Sequence, residues 1–254
     1  MTSPATARYA ERLGDDALVL AQRLIEWTSN APLIEEELAL ANTALDYLGR
    51  ARLCYQYAAR LNRAAGRPGH TEDELAYRRD ATEFGNALIC ELPRGDFAFT
   101  MARQFLIDAF SVPFLDALSR SSDGELAGIA GKALKESRYH VRRSADWMLR
   151  LGDGTQESHA RAQRALDALA PYVGELFEMD ALERELVASG VAVDRDDVRP
   201  PFAATVEAVL GEATLVWTTG PARSGGRRGA HTAHLAPLLA ELQSIQREHA
   251  GLTW

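Results

Sequence analysis

The sequence predicts an all-α protein, and three observations lead to that class. Ala, Leu, Arg and Glu recur through long stretches with helical period, and strand signals are nearly absent. Segments rich in Gly, Pro, Ser and Asn divide these stretches, for example SNAP at 29–32 and AGRPGH at 65–70. Four of the resulting helices are roughly 20 to 30 residues long, which is typical of a helix bundle.

The elements follow in order from these division points. Long helices are predicted at about 7–28, 34–64, 97–119 and 123–151, with a short helical excursion at 72–90. Further helices are predicted at about 155–178, 198–216 and 231–249. Capping boxes are predicted at Thr71 with Glu74 and at Ser122 with Glu125. Because nothing marks a linker, we expect a single domain over 1–254, with a core bundle at about 7–151 and a C-terminal helical extension at about 155–254.

Composition and charge exclude several classes of protein. The chain has 254 residues, a formal net charge of −8 and an ordinary 46% of hydrophobic residues. This negative charge repels phosphate backbones and anionic membranes, so nucleic-acid binding is not expected. No apolar run reaches the roughly 18 residues that span a bilayer, and the polar start MTSPATARYAERLGDD does not resemble a secretion signal. With only Cys54 and Cys90, both outside a CxxC pattern, we expect a cytoplasmic protein.

The helical period predicts which side chains face the interior. On the fourth helix, Ser137 and His140 lie on the apolar seam, whereas Glu136 lies about 100° away from it. On the third helix, Asp108 lies among apolar seam residues, where a carboxylate needs a cation, a metal or several donors. The second helix carries two apolar stripes, both predicted to face inward: Ile34, Leu38, Ala41, Leu45 and Leu48, and Leu40, Ala44, Tyr47, Ala51, Cys54 and Ala58.

KESRYH at 135–140 and an acid near the end of the first helix resemble the ferritin-like carboxylate fold. Within that fold the chain resembles the C-subunit family of the bacterial phenylacetyl-CoA epoxidases over nearly its whole length. The resemblance is carried by LGDDALVLAQRLIEW (13–27), ELALANTALDYLGRAR (37–52), ARQFLIDAF (102–110), KESRYH and GGRRGAHTAHLAPLLAEL (225–242).

The resemblance implies a structural, noncatalytic subunit of a multicomponent monooxygenase that places an epoxide on the aromatic ring of phenylacetyl-CoA. It implies a related catalytic A subunit that holds a di-iron centre and pairs with this chain. It also implies a small additional subunit and an iron-sulfur flavoprotein reductase as further partners. No cofactor is expected in this chain.

The same resemblance identifies the positions where the catalytic relative holds iron. They fall on Glu26, Tyr47, Arg50, Asp108, Ser137 and His140. Glu26, Asp108 and His140 retain ligand chemistry, but a di-iron site needs about four carboxylates and two imidazoles. Arg50 adds a permanent positive charge. The resemblance therefore implies a degenerate former site, and we hypothesise that Arg50 replaces the metal's charge by pairing with Glu26 or Asp108.

Two other functions remain open from the residues alone. The first is an autonomous metal-dependent oxygenase that uses Glu26, Asp108, His140 and Glu136. The second is a module that binds coenzyme A thioesters through SGGRRGAHTAH at 224–234, where Arg227 and Arg228 offer forked donors. This segment lacks the preceding strand and the Lys-Ser/Thr of a P-loop, so a partner-contacting or connecting loop is the simpler interpretation. His231 and His234 are expected to cap and solvate the last helix.

Overall fold

A computed structural model describes residues 4–67, 71–249 and 252. This part of the chain forms eleven α-helices and contains no β-strand, which confirms the all-α class. The helices are α1 (Pro4–Ile25), α2 (Ile34–Ala64), α3 (Glu72–Tyr77), α4 (Leu88–Glu91), α5 (Phe97–Leu118), α6 (Gly124–Gly152), α7 (Gln156–Val173), α8 (Ala181–Ala188), α9 (Arg199–Glu212), α10 (Leu235–Leu242) and α11 (Ser244–Glu248). Short 3₁₀ turns occupy Ala81–Glu83, Gly174–Phe177 and Gly226–Arg228.

The four long predicted helices are confirmed, and the errors lie in the shorter elements. The excursion at 72–90 is α3, a 3₁₀ turn and α4, and the single helix predicted at 231–249 is divided into α10 and α11. The helix α8 has no predicted counterpart. Within the described residues, none of the helices is both long enough and apolar enough to span a bilayer.

The chain divides into two compact units. The first unit combines Met1–Thr28, Leu38–Pro93 and Gly225–Trp254, and the second combines Ser29–Glu37 and Arg94–Ser224. Residues 225–254 therefore group with α1 and most of α2, whereas 155–224 group with α5 and α6. The single domain with an extension from 155 stays a prediction.

In the first unit, α1 packs against α4 and α3, and a buried carboxylate on α1 connects it to α2 and to the segment between α3 and α4. Asp15 on α1 is inaccessible to solvent and accepts hydrogen bonds from the Tyr55 hydroxyl (2.7 Å) and from the Gly85 amide (2.8 Å). It also forms an ion pair with Arg79. Burial, followed by the nearby charge of Asp15, raises the pKa of Tyr55 well above its ordinary value. A buried charge with this many donors is compatible with a stable core.

In the second unit, the apolar helix α5 packs along α6, and α7 and α9 pack against it. The second unit also contains a buried ion pair between α8 and the segment that precedes α9. Arg195 Nε donates to Glu183 Oε2 at 2.8 Å, and Arg195 Nη1 donates to the Leu176 carbonyl at 2.7 Å. The guanidinium of Arg195 also lies 5.2 Å from the ring centroid of Phe114. These contacts connect α5 with α8 and the segment that precedes α9.

The helix caps test the local sequence signals. The box of Thr71 with Glu74 is confirmed, because each side chain bonds the other residue's backbone amide. The box predicted at Ser122 is wrong, since Asp123 caps α6 by accepting from the amides of Glu125 and Leu126. Aspartate in the next position is an equally good cap and carries a charge that favours the helix N-terminus.

One of the two apolar stripes of α2 is on the surface, contrary to the prediction. The stripe that includes Leu40, Tyr47 and Cys54 is buried. In the other, Leu38 is 59% exposed and Leu45 is 61% exposed, and Ile34 and Leu48 are exposed as well. Leu38, Ala41, Leu45 and Leu48 are called the α2 stripe below.

Candidate functional site

The positions that the resemblance assigns to a former metal site are divided between the two units. Glu26, Tyr47 and Arg50 belong to the first unit, and Asp108, Ser137 and His140 belong to the second. Each group is described by itself.

Glu26 directly follows the last residue of α1 and pairs with an arginine in the last turn of that helix. Its Oε1 accepts from Arg23 Nη1 at 2.6 Å, and its side chain is 32% exposed. Arg23 is buried and also donates to the backbone carbonyls of Glu91 and His234. The Glu26 carboxylate is therefore neutralised by a guanidinium that is itself fixed by the surrounding backbone.

Tyr47 and Arg50 lie three residues apart on α2, where a catalytic relative would present Glu-x-x-His. The guanidinium carbon of Arg50 lies 4.8 Å from the centroid of the Tyr47 ring, and Tyr47 is buried. One turn further, burial raises the pKa of the Cys54 thiol to about 12, an effect that the nearby Arg50 charge partly opposes. A guanidinium keeps its proton at physiological pH and therefore does not bind a metal ion. With Tyr47 and Arg50 at these two positions, α2 offers a metal neither the carboxylate nor the imidazole of Glu-x-x-His.

Asp108 in the second unit has hydrogen-bond donors from two helices. It is inaccessible to solvent, accepts from Gln104 Nε2 at 2.8 Å, and lies 2.9 Å from the Ser144 hydroxyl on α6. The Ser144 hydroxyl also lies 2.9 Å from the His140 carbonyl. Because these bonds satisfy the buried carboxylate from within the protein, Asp108 needs no metal to be stable there.

Ser137 and His140 are buried on the α6 seam, as the helical period predicts. Glu136 lies off that seam, and its Oε1 is 4.0 Å from Lys132 Nζ. Across the described residues, no group of three or more His, Cys, Asp or Glu side chains is placed to hold a metal ion. These residues therefore do not fit the di-iron centre of the catalytic relatives. The pairing of Arg50 with Glu26 or Asp108 stays a prediction.

The Gly- and Arg-rich segment at 224–234 does not present both of its arginines outward, as a ligand-binding loop would. Arg227 is buried, and its Nη2 donates to Asp16 Oδ2 at 2.7 Å while its Nη1 donates to the Gly85 carbonyl at 2.8 Å. This corrects the expectation that Arg227 faces a partner or coenzyme A. Arg228 is exposed, and its role in such a contact stays a prediction.

The glycines of this segment serve close packing. A Cβ on Gly226 would lie 2.1 Å from the Asn86 carbonyl oxygen, and one on Gly229 would lie 2.3 Å from the Thr82 carbonyl oxygen. Gly229 also has a φ of +77°, which side chains disfavour. The glycines therefore let the segment lie directly against residues 82–86.

Sequence reasoning missed a buried polar cluster around Glu91. Glu91 is inaccessible to solvent and accepts from Asn86 Nδ2 at 2.8 Å and from the Thr232 amide. Nδ1 of His231 lies 2.7 Å from Glu91 Oε2. His231 therefore belongs to the interior of the first unit, and the expectation that it caps a solvated helix is wrong. At the start of α10, His234 makes no side-chain cap.

Comparison with known proteins identifies the family of this chain. The family described as phenylacetic acid catabolic protein matches residues 1–254. The C subunit of the 1,2-phenylacetyl-CoA epoxidase of Escherichia coli strain K12 is 47% identical over 247 residues, which cover 97% of this chain and 98% of that protein. The all-α, ferritin-like fold class is consistent with both findings. The chain therefore belongs to the phenylacetic acid catabolic protein family.

Proposed function

We propose that this chain is a noncatalytic structural subunit of a cytoplasmic, multicomponent 1,2-phenylacetyl-CoA epoxidase in aerobic phenylacetate degradation. It pairs with a catalytic A subunit that holds the di-iron centre. The relative's name and the family match support the assignment to this system. The placement of Arg50 over the Tyr47 ring carries the noncatalytic part, because it puts a permanent cation where a catalytic subunit needs metal ligands.

The α2 stripe supports the pairing. Leu38, Ala41, Leu45 and Leu48 share one face over ten residues of helix, about 15 Å of its length. Exposure of such a row to water is unfavourable, and covering it by a partner lowers the free energy by about 25 cal/mol per Å² of buried apolar area. The occupant that we assign to the stripe is the catalytic A subunit, because a subunit of an enzyme complex needs a lasting contact and lasting contacts have apolar cores.

The test is co-expression of the chain with the A subunit encoded by the same organism. We expect the pair to elute together on size exclusion, with iron in the pair and none in stoichiometric amount in the chain alone. Epoxidation of phenylacetyl-CoA by the pair with the remaining components, and none by the chain with those components, is the matching activity result. About two irons in the separately purified chain would contradict the noncatalytic assignment.

Two matched variants locate the contact. Leu45→Glu places a charge on the α2 stripe and should abolish co-elution. Arg63→Gln changes the net charge by the same amount at an exposed position on the same helix and should leave co-elution unchanged. Retained pairing in Leu45→Glu would show that the partner uses another surface.

A further inference from the structure

The segment of residues 225–249 is fixed to the first unit by noncovalent contacts. In the chain, the stretch Arg94–Ser224 of the second unit separates it from Pro93, the preceding residue of the first unit. Just before the segment begins, the Arg223 amide donates to the Pro171 carbonyl of the second unit at 2.7 Å. The attachment to the first unit therefore begins within a few residues of this bond. Residues 225–249 are called the strap below.

Two ion pairs attach the start of the strap to the first unit. Nη2 of Arg227 lies 2.7 Å from Asp16 Oδ2 on α1, and Nδ1 of His231 lies 2.7 Å from Glu91 Oε2 on α4. The side chains of His231 and Glu91 are 5% and 0% exposed. The Thr232 amide also donates to Glu91, so this carboxylate holds the strap at two consecutive residues.

The remainder of the strap buries few apolar side chains. In α10 these are Leu235, Leu238 and Leu239, and Gln243 Nε2 then donates to the Ala76 carbonyl at 3.1 Å. The helix α11 contains no buried residue. A segment with few buried apolar side chains opens locally at a lower free energy than a core helix. The strap can therefore leave its place while α2 stays folded.

We infer that the strap is a pH-sensitive element that docks and undocks as one piece, with the charge of His231 deciding how firmly it is held. The protonated ring donates from Nδ1 to Glu91 and from Nε2 to the Phe84 carbonyl. The neutral ring leaves one of these acceptors without its donor, as in other histidine switches. Undocking exposes Glu91 and the three leucines of α10 to solvent.

The charges around His231 favour the protonated ring. Glu91 faces it from α4, and the carboxylate of Asp15 on α1 adds a favourable interaction. Arg23 on α1 and Arg227 on the strap bring positive charge, but each pairs with an acid of its own. The docked strap therefore surrounds the ring with uncompensated acceptors.

Raising the pH should loosen the strap. Burial acts to lower the pKa of His231, but the hydrogen bond and the charge of Glu91 raise it above the ordinary value. Because the pKa is higher in the docked state, the added stability is complete below the ordinary value and is lost as the pH rises through the docked value. Loss of a charge-assisted hydrogen bond at a buried site should increase the open fraction about tenfold or more.

The experiment is hydrogen–deuterium exchange of the full chain, followed peptide by peptide at about pH 6 and about pH 8.5. Protection factors correct for the pH dependence of chemical exchange and report the open fraction of each segment. We expect lower protection in the strap peptides at 231–243 than in the buried stretch 51–62 of α2, in the same unit. Protection of the strap should fall about tenfold or more between the two pH values.

Three variants separate the charge of His231 from a general weakening of the strap. His231→Gln keeps a neutral donor, and its strap protection should be equal at the two pH values within about twofold. Asp16→Asn removes the other ion pair, so protection should fall at both pH values while the pH response remains. His249→Ala, at an exposed histidine of the strap, should behave like the wild type within about twofold.

Equal protection of the strap and of α2 at each pH would show that the first unit opens only as a whole, and would overturn the inference. Strap protection that does not change with pH in the wild type, or a pH response that persists in His231→Gln, would also overturn it. The measurement needs no partner subunit, so its outcome is independent of the proposed function.

Discussion

The imidazole of His231 lies between two acceptors. Its Nδ1 is 2.7 Å from the Glu91 carboxylate, and its Nε2 is 3.1 Å from the Phe84 carbonyl oxygen. A neutral imidazole has one N–H, so it can donate to only one of these oxygens, whereas the protonated ring donates to both. Burial acts to lower the pKa of His231, but the hydrogen bond and the charge of Glu91 outweigh it, and the pKa is raised above its ordinary value.

The stability of the first unit should depend on pH through this ring. Because the folded-state pKa is raised, the stabilisation is complete below the ordinary histidine pKa of 6.5 and is lost as the pH rises through the folded-state value. We expect His231→Ala to lower the free energy of unfolding by about 2 to 4 kcal/mol at pH 6, and by clearly less at pH 9. Urea titration of both proteins at the two pH values measures the difference, and the cavity left by the substitution cancels in it.

The exposed His249 provides the control, because His249→Ala removes a histidine without a buried acceptor pair. Its effect should be under about 0.5 kcal/mol at both pH values. A loss in His231→Ala that is equal at pH 6 and pH 9 would show that the ring is not charged in the folded protein.

Adjacent arginines should differ sharply in their effect on stability. Arg227→Ala removes the ion pair with Asp16 and the donor to the Gly85 carbonyl, so we expect a loss of at least about 2 kcal/mol in the free energy of unfolding. Arg228→Ala removes an exposed side chain and should cost under about 0.5 kcal/mol. Denaturant titration compares them, and similar losses would contradict the burial of Arg227.

The Ser144 hydroxyl should stabilise the contact between α5 and α6. In Ser144→Ala, Asp108 loses a donor in a place without access to solvent, which should cost about 1 to 3 kcal/mol. Ser244→Ala, at an exposed serine whose hydroxyl donates to the Glu241 carbonyl three residues earlier, should cost under about 0.5 kcal/mol. Thermal unfolding of the two variants is the measurement, and an unchanged midpoint in Ser144→Ala would show that Gln104 and the other partners of Asp108 satisfy the carboxylate without the Ser144 hydroxyl.

The decrease in the free energy of unfolding caused by Arg50→Ala distinguishes two roles of this guanidinium. If Arg50 replaces the charge of a former metal, as we predict, its removal orphans a buried carboxylate and costs about 3 to 5 kcal/mol. If its main contribution is the contact with the Tyr47 ring, the loss is about 0.5 to 1 kcal/mol. Urea titration measures the free energy of unfolding of Arg50→Ala, with the exposed Arg60→Ala as the control. A loss under about 1 kcal/mol in Arg50→Ala would refute the charge replacement.

The sequence is most informative where structure is local. The four long helices, the cap at Thr71 and the burial of Ser137 and His140 follow from period and short-range hydrogen bonding. The cap predicted for α6 lies one residue too early, because serine and aspartate both accept from the same amides.

The features that the sequence could not reveal depend on residues that are distant along the chain or on what covers a surface. His231 and Glu91 are 140 residues apart, so no local pattern connects them. The α2 stripe has the same period as a buried stripe, and a period does not tell whether the covering atoms belong to the same chain or to another. The glycine neighbours of Arg227 resemble a phosphate loop in sequence, whereas their role is close backbone packing.

The composition of the first unit from three distant segments affects its assembly on the ribosome. Asp16 emerges early in translation, but Arg227 is made 211 residues later. The segments of the second unit end at Ser224, so all of them have been synthesised before the last segment of the first unit. Until Arg227 is made, Asp16 lacks its guanidinium partner and has the earlier Ala87 amide as a donor. A chain that stalls before Gly225 would leave this acid without its ion pair and expose the polypeptide to quality control.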